Sequence, residues 1–133
     1  MAIQIGVNAA AKKARMKTLV DAERDRRIRD NFVFNTVAFD FDTNSKSNIA
    51  GAASLAGFAA GAGAVVGDYQ WNGSGVDFSW LAKDNTSALM DAQTTFAFGA
   101  AAAEHNRAHI FAARALKDLA IIPEDFADDS HWP

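Results

Sequence analysis

The chain has 133 residues, half of them apolar, and a formal net charge of −3. That size allows one modest core, and the mild acidity gives no general attraction to nucleic acid or to an anionic membrane surface. Cysteine is absent, which excludes disulfides, thiol chemistry and Cys-held metals and fits a cytosolic product. Roughly one residue in five is alanine, a residue that favours helix but buries little area. The ten Phe and three Trp must therefore supply much of the core.

In chain order, residues 7–29 read as a helix, with no Pro or Gly to interrupt it. Its charges are segregated: Lys12, Lys13, Arg15 and Lys17 come without an acid, then Asp21, Glu23 and Asp25 mix with Arg24, Arg26, Arg27 and Arg29. Glu23–Arg27 and Asp25–Arg29 are spaced i,i+4 and support the helix. Its apolar stripe is thin (Met16, Leu19, Val20, Ile28), so the helix reads as an exposed arm or a contact surface. The opening stretch shows no secretory leader, having no basic region ahead of a long apolar run.

Residues 32–41 read as a β-hairpin. A two-residue loop at Asn35-Thr36 pairs Phe34 with Val37 and Phe32 with Phe39, and puts Phe32, Phe34, Val37, Phe39 and Phe41 on one face. Asn suits the positive-φ turn position, whereas Thr stands where Gly is usual, so a four-residue loop stays open as an alternative. Asp42 to Ser47 carry turn and cap chemistry before an Ala/Gly-rich helix at 45–60, which should cover the Phe face. The stretch Ile49–Val66 holds no charge over 18 residues, near the minimum for a membrane span. Its poverty in large apolar residues and lack of flanking aromatics favour a buried helix.

Residues 63–75 read as loop, with an edge strand at Asp68–Trp71 and a turn at "NGSG". A second hairpin follows at 76–90. A three-residue loop, Lys83-Asp84-Asn85, pairs Trp80 with Ala88 and Phe78 with Met90, with Asn85 left-handed. Asp91 caps a long last helix at 92–120, whose apolar stripe reads Phe96, Ala100, Ala103, Ile110, Phe111, Ala115 and Leu119. Pro123 closes it before the acidic "EDFADDSHWP".

The expected fold is α+β: a long N-terminal helix, then two β-hairpins forming a small antiparallel sheet, packed on the Ala/Gly-rich helix and the long C-terminal helix. The expected organisation is a charged helical arm at 1–29, a compact domain at 30–121 and an acidic tail at 122–133.

No catalytic constellation stands out. His105 and His109 have metal-ligand spacing on one helix, but no third ligand is evident and a plain helix face is the better reading. Asp40 and Asp42 read as turn and cap residues. Ser74 lacks a nucleophile-elbow context, and no phosphate loop is present. No catalytic, cofactor or metal site is assigned, and no enzyme is expected. The basic run 12–17 has no interleaved aromatics, which disfavours nucleic acid. Candidate interaction residues are Lys12, Lys13, Arg15, Lys17, Arg24 and Arg27, with Phe126 and Trp132 of the acidic tail as docking anchors against neighbouring subunits.

Four stretches, "DAERDRRIRDNFVFNTVAFDFD", "SNIAGAA", "FSWLAKDNTSALMDAQT" and "AAAAEHNRAHIFAARALKD", occur in this order. Together they resemble an uncharacterised family of phage and prophage proteins, domain of unknown function 4376, whose members accompany tail-fibre and tail-tip proteins. The likeness spans about residues 21–118. Asp84-Asn85-Thr86 running into Met90-Asp91-Ala92-Gln93 is its most specific segment. Thr36, where Gly is expected, and the Gly-rich loop 61–75 depart from the pattern. The family brings no catalytic residues. The resemblance implies a virion component of the tail, tail-fibre or baseplate type, acting as an interaction or adaptor module. Its partners would be other tail proteins and further copies of itself, with no small-molecule substrate and no membrane. It would reside in the virion, and in the host cytoplasm during assembly. A non-virion tail-fibre assembly chaperone and a small nucleic-acid-binding protein using residues 12–29 are the alternatives.

Overall fold

The computed structural model describes the backbone of residues 2–133 and the side chains of residues 8–133. Three helices and two small hairpins make an α+β protein. The order is α1 (Ala2–Asp30), β1 (Val33–Phe34), β2 (Val37–Ala38), α2 (Thr43–Gly61), β3 (Ser79–Leu81), β4 (Ser87–Leu89) and α3 (Ala92–Lys117), with a short 3-10 turn at Asp129–His131. The chain groups into two compact units, residues 29–105 and residues 1–28 with 106–133. Among the described residues no helix is long and apolar enough to cross a membrane.

The first hairpin is built by its turn. Asn35 and Thr36 both take positive φ, 49° and 65°, the backbone that a two-residue loop needs to match strand twist. Phe34 therefore pairs with Val37, and Val33 with Ala38, while the Phe39 N–H donates to the Phe32 carbonyl. Phe32, Phe39 and Phe41 are buried, and Phe34 and Val37 are half-buried.

These rings converge on α3 rather than facing only the small-residue helix. Phe98 lies 4.8 Å from Phe39, 5.2 Å from Phe34, and 5.7 Å from both Phe32 and Trp80. The His105 ring completes the cluster at 5.2 Å from Phe32 and from Phe41. Ring pairs at such separations gain energy beyond their buried area.

Asp42 caps α2 by accepting from the Ser45 N–H at 2.8 Å. Ile49, Ala53 and Ala56 form the helix's buried face. Gly99 of α3 comes so near Ala53 that a methyl group there would collide with the Ala53 Cβ.

The second hairpin has the expected three-residue loop. Trp80 pairs with Ala88, the Ala82 N–H donates to Thr86 O, and Asn85 is left-handed at φ 68°. The two hairpins remain separate two-stranded sheets in place of the single sheet expected, joined through the Lys83 N–H donating to the Ala38 carbonyl at 2.9 Å. Residues 69–71 form turns and Asp68 is irregular, not the edge strand read from sequence. That stretch meets its neighbours through the Phe78 N–H on Tyr69 O and the Trp71 indole N–H on Met90 O.

The stripe of α3 differs from its expected line. Every residue of the sequence-derived stripe is exposed, with Phe96 at 56%, Phe111 at 61% and Ile110 at 47%. The buried line is Ala92, Thr95, Phe98, Ala102, His109, Ala113 and Leu116. It also has helical spacing, but polar Thr and His interrupt its hydrophobic pattern.

The unit of residues 1–28 and 106–133 has its own core of Met16, Val20, Ala113, Leu116, Ile122 and Trp132. Ala112 and Phe126 pack against it. An isolated arm and an isolated acidic tail are therefore not what forms. Residues 122–133 fold back on α1, because Ile122 and Trp132 bury their apolar surface there.

Candidate interaction surface

Asp91 shows how one side chain shapes the unit of residues 29–105. Its Oδ1 accepts from the Thr94 N–H at 2.7 Å and so caps α3, while its Oδ2 accepts from the Gly67 N–H at 2.9 Å. Gly67 has φ 88°, a backbone state that glycine adopts freely. Hydrogen bonds from Thr94, and then the Gly67 N–H, hold the Asp91 carboxyl below its ordinary range.

The expected contact residues divide into two groups. Lys12, Arg15 and Lys17 lie exposed along α1, with Lys13 half-buried beside them. Lys12 reaches Glu124 at 2.7 Å. Exposed pairs of this kind contribute little. Lys13, Arg15 and Lys17 form no ion pair among the described residues.

Arg24, Arg27, Phe126 and Trp132 are committed within the chain. Arg24 pairs with Asp25 at 2.8 Å and Asp21 at 3.1 Å, and Lys117 also reaches Asp21 at 2.6 Å. Arg27 is only 5% exposed. Its guanidinium donates to Glu23 Oε1 at 2.8 Å, the Ala127 carbonyl at 2.8 Å and Asp129 Oδ1 at 2.7 Å, and it lies 5.5 Å over the Trp132 ring. Arg26, with Arg27, holds the Glu23 carboxyl below its usual range.

The Trp132 indole N–H donates to the Phe126 carbonyl at 2.7 Å. Phe126 and Trp132, expected as docking anchors for a neighbouring subunit, lie against the chain's own core: Trp132 is buried and Phe126 packs on it. The acidic residues satisfy Arg27 and Lys12 of the same chain. The signal for this was present in Arg27, a cation on the same helical line as Met16 and Val20, whose burial requires an acid from elsewhere in the chain.

His105 and His109 take up different surroundings. His105 lies among the phenylalanines, whereas His109 stacks on Trp132 at 6.4 Å. Among the described residues no group of three or more His, Asp or Glu could hold a metal ion. Asp42 and Asp84 serve turns: Asp84 Oδ1 accepts from the Thr86 N–H at 3.1 Å and its hydroxyl at 2.6 Å.

Sequence reasoning missed two surfaces. The first is the outer side of α2, where Leu55 is 66% and Phe58 80% exposed, within a run that carries no charge from Ile49 to Gly67. The second is a groove of about 400 Å³ between α1 and residues 120–122. The α2 surface could have been found by rotating Ile49, Ala53 and Ala56 onto one face, which leaves Leu55 and Phe58 opposite. The groove depends on the return of the tail and had no local signal.

No curated protein and no solved structure matches the chain. The model of one family, described as Domain of unknown function (DUF4376), matches residues 11–131, and the chain belongs to that family.

Proposed function

We propose that this chain is a structural component of a phage tail, tail fibre or baseplate, acting by protein–protein contact in several copies rather than by catalysis. The phage setting comes from the likeness of the quoted motifs. The observation that carries the contact role is the outer side of α2. A helix in water normally turns charged residues outward; here Leu55 and Phe58 stand outward with no charge beside them in the run 49–67. Exposed apolar surface of this kind marks a site covered by another molecule.

The test is quantitative mass spectrometry of banded particles from a phage that encodes the chain, alongside the infected lysate. A fixed ratio to known tail proteins, lost when Phe58→Asp is introduced, is the expected result. A chain abundant in the lysate but absent from particles would replace the component reading with that of an assembly chaperone. Salt-sensitive retention of duplex DNA in a filter assay, lost on charge reversal of Lys13 and Arg15, would favour the nucleic-acid reading.

A further inference from the structure

The groove beside α1 combines two properties. Its floor is apolar: Ala10 and Met16 from the helix, Ile121 and Ile122 from the returning segment. Its rim is cationic, with Lys12 and Lys13. A second depression of about 390 Å³ shares Lys12 and Met16 and continues to Arg15, Thr18 and Leu19. Ile121 is 84% exposed and Leu19 50%, so apolar surface extends beyond the floor.

From Ala9 to Leu19 the strip follows ten helical steps, roughly 15 Å at 1.5 Å per residue. That length accepts about three turns of a second helix laid along it, the arrangement in which an amphipathic helix buries its apolar side in a groove.

The charges choose the occupant. Lys13, Arg15 and Lys17 form no ion pair among the described residues, and Lys12 meets only the exposed Glu124. The chain's own acidic segment is not a helix that could lie in the groove of a second copy, since residues 124–127 are turn. Asp129 is bound to Arg27 and Glu124 to Lys12 in cis, and Trp132 is buried behind them. The apolar floor and the absence of an aromatic side chain along the strip give nucleic acid bases nothing to stack on.

We propose that the groove formed by Ala10, Met16, Ile121 and Ile122, with its rim of Lys12, Lys13 and Arg15, is a docking site for an acidic amphipathic helix of a partner protein. This stands apart from the virion reading, which rests on the outer side of α2.

The probe is a fluorescein-labelled helical peptide of about 14 residues, roughly four turns, with Leu at i, i+3, i+4 and i+7 and Glu elsewhere. One control replaces every Glu by Lys; another replaces every Leu by Ser. Fluorescence anisotropy with the full chain should show the acidic amphipathic peptide binding at least about tenfold more tightly than either control, a step of about 1.4 kcal/mol. Added salt should weaken it by screening the rim. Ile121→Asp, at an exposed position that leaves the core intact, and Lys13→Glu should each weaken binding about tenfold, with unchanged far-UV circular dichroism. Amide shifts on titration should map to Ala9, Lys13, Met16 and Ile122. The proposal is overturned if no peptide binds, if the Ser control binds equally well, or if Ile121→Asp has no effect. It is also overturned if duplex DNA binds the same residues more tightly than the peptide.

Discussion

Gly99 offers a sharp test of the packing of residues 29–105, because helix propensity and steric fit push in opposite directions there. Gly→Ala inside a helix gains about 1 kcal/mol of intrinsic propensity. A Cβ at position 99 would, however, fall far inside the 3.0 Å limit for real Cβ contacts with Ala53. Both atoms sit directly on helix backbone, so no flexible side-chain end can move aside. The two helices would have to part by roughly an ångström to reach ordinary carbon contact near 3.5–4 Å. Overpacking of this kind costs about 1–3 kcal/mol. Gly99→Ala should therefore destabilise by about 1 kcal/mol net, about 2 lost to the clash and about 1 recovered from propensity. In an Ala53→Gly background the clash vanishes and the same substitution should stabilise by about 1 kcal/mol. The change of sign corresponds to a coupling of about 2 kcal/mol, measurable by a double-mutant cycle from urea unfolding at constant m. Stabilisation by Gly99→Ala in the native background, or simple additivity of the two substitutions, would refute the close approach of α2 and α3.

Phe98→Ala removes the ring on which Phe32, Phe34, Phe39 and Trp80 converge; it should cost about 3–5 kcal/mol in denaturant unfolding, and a loss below about 1 kcal/mol would deny that the cluster is core. Thr36→Gly relieves a β-branched residue at φ 65° and should stabilise by about 1 kcal/mol, seen as a higher urea midpoint. Asp91 has its folded pKa lowered, so its stabilisation is full above the unfolded value of about 3.9 and is lost as pH falls through the lower folded value. Asp91→Asn keeps one capping oxygen but leaves the second N–H, of Thr94 or Gly67, facing an NH2. It should accordingly cost about 1 kcal/mol at neutral pH, and its difference from the native chain should shrink as pH falls below the unfolded value of about 3.9; a pH-independent difference would argue against the ionised cap.

The elements were legible where local chemistry decides them. Asn35 and Asn85 fixed both turns because left-handed backbone suits Asn, and Asp42 and Asp91 fixed helix starts because a carboxylate satisfies free N–H groups. The α3 stripe was not legible by hydrophobicity. The buried line runs through Thr95 and His109, while Phe96, Ile110 and Phe111 face outward. Thr95 tolerates burial by donating its hydroxyl to the Asp91 carbonyl at 2.8 Å, a bond that propensity does not reveal. The tail was misread for a related reason. An acidic strip with two aromatics looks solvent-directed until a buried arginine is known to sit opposite it, and Arg27 and Asp129 are 102 positions apart. Of the contact residues, the exposed run Lys12–Lys17 could be read from sequence, whereas the apolar groove beside it arises only from the long-range return of residues 120–122.

The unit built from both ends of the chain has a consequence for synthesis. Residues 29–105 are continuous in sequence and can compact as soon as α3 has begun to emerge. Met16, Val20 and Arg27 have no such option, because Ala113, Leu116, Ile122, Asp129 and Trp132 are synthesised only after residues 29–105. At about 5–20 residues per second, Arg27 waits roughly 5–20 s for Asp129, its second acid after Glu23. During that interval α1 exposes an apolar stripe, and Arg27 has only Glu23 of its own helix as a partner. A nascent-chain chaperone would find its binding site on α1, and the chain would withdraw that site once residues 113–132 arrive.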